Sequence, residues 1–213
     1  MKKDNLLHVI HHTIDLDQSV VVYDNMFTKE NLDEDWVAKS GHWSVKDGFL
    51  LGECDAGSGG MIFSKEEYPH DIVMEFTASI VSPSTHDLDF MWHSSWDDET
   101  KLRNAGYVVG ISGWWEKKVG FEKAPDNIWY GSTTLFTAEP DREYRIQAGT
   151  IQGLCFLFID SRLVLEMRDP DPIDYGKHPF VGFETYQSKI RIKDLRIYKP
   201  FVLKRELKYM DEF

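Results

Sequence analysis

Asp87 and Asp89 stand two residues apart in HDLDFMW, a segment that reads as a strand. Side chains at alternate strand positions share a face, here roughly 6.6 Å apart along the chain. Leu88, Phe90 and Trp92 then take the opposite, core-facing side. Two carboxyls at such a spacing suit acid–base chemistry on an acetal bond, where pairs about 5–5.5 Å or about 6.5–9.5 Å apart do the work. Asp89 or Glu122 is the candidate general acid or base, with His93 assisting at the strand end. Asp87 and Glu75 are candidates for holding a substrate on the same side. The competing reading makes Asp87 and Asp89 polar groups on a solvated sheet face and His93 a packed, hydrogen-bonded side chain.

Aromatic residues crowd the same region. Between Asp87 and Trp129 the chain collects Trp92, Trp96, Trp114, Trp115 and Trp129, with Tyr107 and Arg103 among them. Aromatic rings stack on the apolar C–H faces of sugars, while hydroxyls are met by carboxylates, amides and guanidinium groups. Trp96, Trp114, Trp115 and Trp129 are therefore candidate platforms, and Arg103 and Tyr107 candidate polar contacts. Trp114 and Trp115 are adjacent, so at most one of them faces a core if the segment is extended. The competing reading is that these rings plug the ends of the fold.

Positioning these residues requires strands. The last third reads as YRIQAG, LCFLFID, RLVLEMRD, FVGFETY and KIRIKDLRIYKP, with a tight turn at Asp160-Ser161. Asp47-Gly48 marks a second turn, inside WSVKDGFLL. Ile72 to Ile80 alternates, with Ile72, Met74, Phe76, Ala78 and Ile80 inward. Val73, Glu75, Thr77 and Ser79 then face solvent or a groove. Further strands are expected over Leu88–His93, Gly106–Ser112 and Lys118–Glu122. The fold class is all-β, a two-sheet antiparallel sandwich. One domain is expected over 1–213, with an N-terminal arm over 1–19, the sandwich over 20–200 and a tail over 201–213. A helix over Val202–Tyr209 is too short and polar to stand alone.

The 213 residues are enough for one all-β core. A formal charge of −12 disfavours nucleic acid and anionic membrane surfaces as partners. No apolar window reaches the ~20 residues of a membrane span. Asp4, His8, His11, His12, Asp15 and Asp17 interrupt any secretory apolar core, so a cytoplasmic location is expected. Cys54 and Cys155 are then expected as reduced, buried thiols. His11 and His12 are adjacent and lack nearby Cys or carboxylate partners at metal-ligand spacing. Serine-hydrolase elbow, zinc-protease, P-loop and dinucleotide motifs are absent.

WVAKSGHWSVKDGFLLGE, SKEEYPHDIVMEFTAS, LFIDSRLVLEMRDPDPI and VGFETYQSKIRIKDLRIYKP together resemble the concanavalin A-like jelly-roll superfamily. Trp43, Val45, Asp47 and Gly48 match a Trp-x-Val-x-Asp-Gly stretch of 3-keto-disaccharide hydrolase-like and laminin-G-like domains. Asp71-Ile72 and Lys193–Ile197 match the acidic strand start and the closing strand, so the resemblance spans residues 20–200. It implies a convex and a concave sheet, with carbohydrate on the concave one. Glucanases of this superfamily use Glu-x-Asp-x-x-Glu; here Asp87, Asp89 and Trp92 take those places, and the third carboxylate is absent. Some members hold a structural calcium through a final-strand Asp, for which Asp194 stands at the matching position. No other cofactor is implied. The expected activity is that of a glycoside hydrolase-like enzyme on small oligosaccharides or modified glycosides. A non-catalytic lectin-like module and an assembly subunit with a Trp interface are the alternatives. The oligomeric state is open.

Overall fold

The computed structural model describes residues 5–55, 59–113, 117–126 and 128–205. In chain order the strands are β1 (Leu6–His8), β2 (His12–Asp24), then after helix α1 (Lys29–Asp35) β3 (Trp36–Ser40), β4 (His42–Lys46), β5 (Phe49–Glu53) and β6 (Gly59–Ser64). They continue as β7 (Ile72–Ile80), β8 (Leu88–Asp97), β9 (Leu102–Gly113), β10 (Lys118–Ala124) and β11 (Ile128–Thr133). The last five are β12 (Tyr144–Ile151), β13 (Leu154–Ile159), β14 (Arg162–Arg168), β15 (Phe180–Tyr186) and β16 (Lys189–Lys204). One sheet runs β1-β2-β16-β7-β12-β13-β14, with the β4–β5 hairpin attached to β16. The other runs β11-β10-β9-β8-β15-β6-β3. Every pairing is antiparallel.

Alternation builds the core between the sheets. Ile72, Met74, Phe76, Ala78 and Ile80 of β7 meet Leu88, Phe90 and Trp92 of β8, Tyr107, Val109 and Ile111 of β9, and Val181 and Phe183 of β15. Phe76 stands edge-on to both Phe90 and Phe183, with centroids 5.0 and 5.3 Å away. The two expected hairpins form. Asp160 and Ser161 take φ of 50° and 67°, and Asp47 and Gly48 take 53° and 77°. Positive φ at both central residues is the type I′ geometry that matches strand twist.

On the outer face of β7, expected to meet solvent or a groove, Glu75 and Thr77 are half-buried while Val73 and Ser79 are fully buried. A terminal ribbon made of β1, β2 and the end of β16 covers Val73, while the Ser79 hydroxyl accepts from Arg191 Nε at 2.8 Å. Leu7, Val9, Ile14 and Leu16 pack on Val73, Ile151, Leu154, Phe156, Phe158 and Tyr198 as a second apolar layer. The Ile10 amide reaches Glu166 Oε2 on β14 at 2.9 Å, across the sheet. The strand β2 crosses the arm boundary expected at residue 19. Val202 to Lys204, expected in a helix, extend β16, paired with Ile14 to His12. The rest of that segment, 206–209, lies outside the described residues.

The helix α1 was not anticipated. Thr28 caps it, its hydroxyl accepting from the Asn31 amide at 3.1 Å. Trp36 follows and seats between Tyr23, Phe27 and Phe183. Cys155 is buried as expected, but Cys54 is only half-buried, its Sγ accepting from the Gln187 amide at 3.1 Å.

Candidate functional site

The face of the seven-stranded sheet turned away from the core carries the acidic residues. Its cross-strand register sets them in two neighbouring rungs. One rung runs Met61, Glu184, Asp89, Gly110, Gly120 from β6 to β10. The next runs Gly182, Met91, Val108, Glu122, Trp129 from β15 to β11. Gly110 and Gly120 put no side chain beside Asp89, so the sheet there has an open floor. A concavity of about 700 Å³ results, lined by Asp87, Asp89, Arg103, Glu122, Glu184 and Tyr186, with His86, Gln187 and Leu102 also at its walls.

Arg103 organises these carboxyls. Its Nη1 donates to Glu184 Oε2, and its Nη2 lies 3.9 Å from Glu122 Oε1. The side chains of Arg103, Glu184, Asp87 and Glu122 are between 10% and 16% exposed, and Asp89 is 9% exposed. Asp87 sits just ahead of β8 with φ 53°, which aims it into the concavity. A Cβ on Gly113 would lie 2.6 Å from Asp87 Oδ1, so glycine is what admits the carboxyl there. Asp89 Oδ1 and Arg103 Nε are buried without a hydrogen-bond partner.

Burial shapes the protonation of the cluster. It pushes Asp87 up to about 7, with the Glu184 charge adding to the effect. It pushes Asp89 well above the usual carboxylate range, with Asp87 and Glu184 adding and Arg103 opposing. Glu122 is also raised by burial, against the pull of Arg103. At neutral pH the site therefore offers carboxylic acid donors as well as carboxylate acceptors.

The structure brings together Asp87, Asp89, Arg103 and Glu122 of the expected residues. It separates several others. His93 is fully buried on the far side, with φ 45° and its ring stacked on Tyr175 at 4.2 Å. Its Nε2 donates to the His70 carbonyl at 3.1 Å, and burial lowers its pKa to about 4. Tyr107 is a core residue whose hydroxyl donates to Asp169 Oδ2 at 2.7 Å. Glu75 lies on the other sheet, accepting from Arg145 Nη2 at 2.6 Å and Gln147 Nε2 at 2.7 Å. Trp96 is partly buried against Phe63, centroids 6.1 Å apart, in an apolar cluster with Met91 and Val108. Trp114 and Trp115 lie outside the described residues, as does the side chain of Trp129, whose backbone pairs with Glu122.

Asp194 is exposed at a bulge in β16, with φ 55°. Among the described residues no group of three or more His, Cys, Asp or Glu side chains is arranged to hold a metal. The residues around Asp194 thus do not fit a calcium site.

Glu184, Tyr186, His86 and Gln187 are site residues that sequence reasoning passed over. The signal was present in FVGFETY, where Val181, Phe183 and Thr185 face inward and so turn Glu184 and Tyr186 outward. Tyr186 is 49% exposed and is an aromatic face at the rim among the described residues.

No family model and no curated protein matches the chain. Solved structures do. The carbohydrate binding module CBM66 from Bacillus subtilis has a TM-score of 0.62 at 14% identity, over 78% of this chain and 96% of that one. A protein of unknown function with a galectin-like fold, also from Bacillus subtilis, has a TM-score of 0.63 at 13% identity, over 85% and 96%. The VIP36 exoplasmic/lumenal domain, in a form bound to Ca2+ and Man3GlcNAc, has a TM-score of 0.58 at 10% identity, over 93% and 92%. These matches show the fold: a concanavalin A-like, galectin-like jelly-roll sandwich.

Proposed function

We propose that the protein binds a carbohydrate in the concavity of its seven-stranded sheet. The observation that carries this reading is the convergence of Asp87, Asp89, Glu122, Glu184 and Arg103 in a half-enclosed groove, with Asp89 Oδ1 and Arg103 Nε lacking partners. A folding role alone gives no reason to bury four carboxyls beside one guanidinium, since each costs desolvation. Sugar hydroxyls both donate and accept, and so complement mixed acid and carboxylate groups. Tyr186 supplies a ring for stacking at the rim. The fold matches include a carbohydrate binding module and a glycan-bound domain, which supports a sugar as the ligand class.

A second reading, cleavage of the bound glycoside, is favoured by one pairing. Asp89 and Glu184 are direct cross-strand partners. Such partners have Cβ atoms about 4.5–5.5 Å apart, close to the separation of about 5–5.5 Å used by retaining glycosidases. Burial raises the affinity of Asp89 for its proton, the direction a general acid requires, and Glu184 is engaged by Arg103.

Calorimetric titration with mono-, di- and oligosaccharides, followed by product analysis, tests both readings. Saturable binding that Tyr186→Ala weakens roughly threefold to tenfold supports the binding site, given the worth of an aromatic stack. Product formed by the native protein and not by Asp89→Asn supports cleavage. Binding without product supports the module alone, and silence across the panel rejects both.

A further inference from the structure

The charge balance of the groove points to the class of sugar. Four carboxyls, Asp87, Asp89, Glu122 and Glu184, face one guanidinium among the described residues that line it, an excess of three negative charges once all four are ionised. Both terminal nitrogens of Arg103 are turned to Glu184 and Glu122, so no guanidinium fork is presented to an anionic ligand. A second observation is independent of that count. Asp89 is nine-tenths buried, lines the groove, and its Oδ1 accepts from no group of the protein. An ammonium group carries three donors and a full positive charge, and could engage acceptors on β8 and β10 together. A metal ion is a poorer fit, because these carboxyls are not arranged as a ligand set.

Resting on the carbohydrate reading above, we propose that the groove selects glycans whose bound residue carries an ammonium group, and excludes uronates. A uronate adds a like charge to a cluster screened from water, where Coulomb terms are several times larger than in bulk. An ammonium group relieves the same repulsion.

Proton release follows from this. The groups facing Asp89 are Asp87 and His86 ahead of β8, Glu184 on β15, Arg103 on β9 and Glu122 on β10. Burial raises the proton affinity of Asp87, to about 7, and of Asp89. A bound cation favours their ionised forms, so binding expels protons and its affinity rises as pH increases from about 5.5 to about 8.

The test uses methyl glycosides of the gluco and galacto series that differ only at C6, bearing CH2NH3+, CH2OH or COO−. Affinities are measured by calorimetry at pH 7 and low salt, in two buffers of different ionisation enthalpy. The amine is expected to bind about tenfold tighter than the alcohol, and the uronate about tenfold weaker, with the spread shrinking at high salt. Proton release is expected for the amine. Asp89→Asn should collapse the amine preference; should that variant not fold, Glu122→Gln gives the same readout. Equal affinity for amine and alcohol, or tighter binding of the uronate, overturns the selection while leaving carbohydrate binding intact. Silence from all six compounds while a larger neutral oligosaccharide binds also overturns it. Silence from every sugar overturns the carbohydrate reading with it.

Discussion

Asp89 and Asp87 are retained at a cost, and that cost is measurable. A carboxyl whose folded pKa is raised binds protons more tightly in the native state than in the unfolded chain. Stability is then greatest below the unfolded pKa of about 4 and falls as pH rises through the folded value, about 7 for Asp87. Asp89→Asn removes the more deeply buried of the two acids without changing its size. Its melting temperature at pH 8 is expected to exceed that of the native protein by several degrees, and to vary less with pH, as read by scanning fluorimetry. Arg103→Ala acts in the opposite direction. It strips Glu184 and Glu122 of their counter-ion, and a loss of about 3 kcal/mol in denaturant unfolding is expected for breaking a pair this buried. Tyr107 and His93 show how a residue type misleads. Each has the chemistry of a site residue, yet Tyr107 faces inward on the odd-numbered side of β9, and the left-handed backbone at His93 turns its ring into the core.

Strands and turns carried most of what was legible beforehand. The Asp160-Ser161 hairpin forms with both residues at positive φ, a geometry in which serine is strained and glycine is not. Ser161→Gly is expected to add about 0.5–1 kcal/mol, seen as a higher denaturant midpoint. The alternation of β7 identified its core face, because that face depends only on period two. Its outer face could not be read the same way, since what covers it comes from both ends of the chain. Ile14, fully buried in the terminal ribbon, belongs to that cover, and Ile14→Ala is expected to cost about 2–5 kcal/mol in the same assay. Asp87 and Asp89 were found on one groove through local spacing. Glu184 joined them only through the pairing of β15 with β8, between residues nearly a hundred positions apart. Glu75 failed for the complementary reason: its outward face was read correctly, but β7 belongs to the other sheet.

At the scale of the molecule, the two sheets divide the labour. The nine-stranded sheet packs one face on the core and has part of the other covered by the terminal ribbon. The seven-stranded sheet carries its charge on part of its outer face, beside the apolar cluster of Phe63, Met91, Val108 and Trp96, and Gly110 keeps the groove floor free of a side chain. Any glycan is therefore expected on one sheet alone. Hydrogen–deuterium exchange of the whole protein, with and without saturating oligosaccharide, tests this most directly. Protection confined to β8, β9, β10 and β15 is the predicted result. Protection confined to the terminal ribbon or to β12–β14, or none at any sugar concentration, would contradict it.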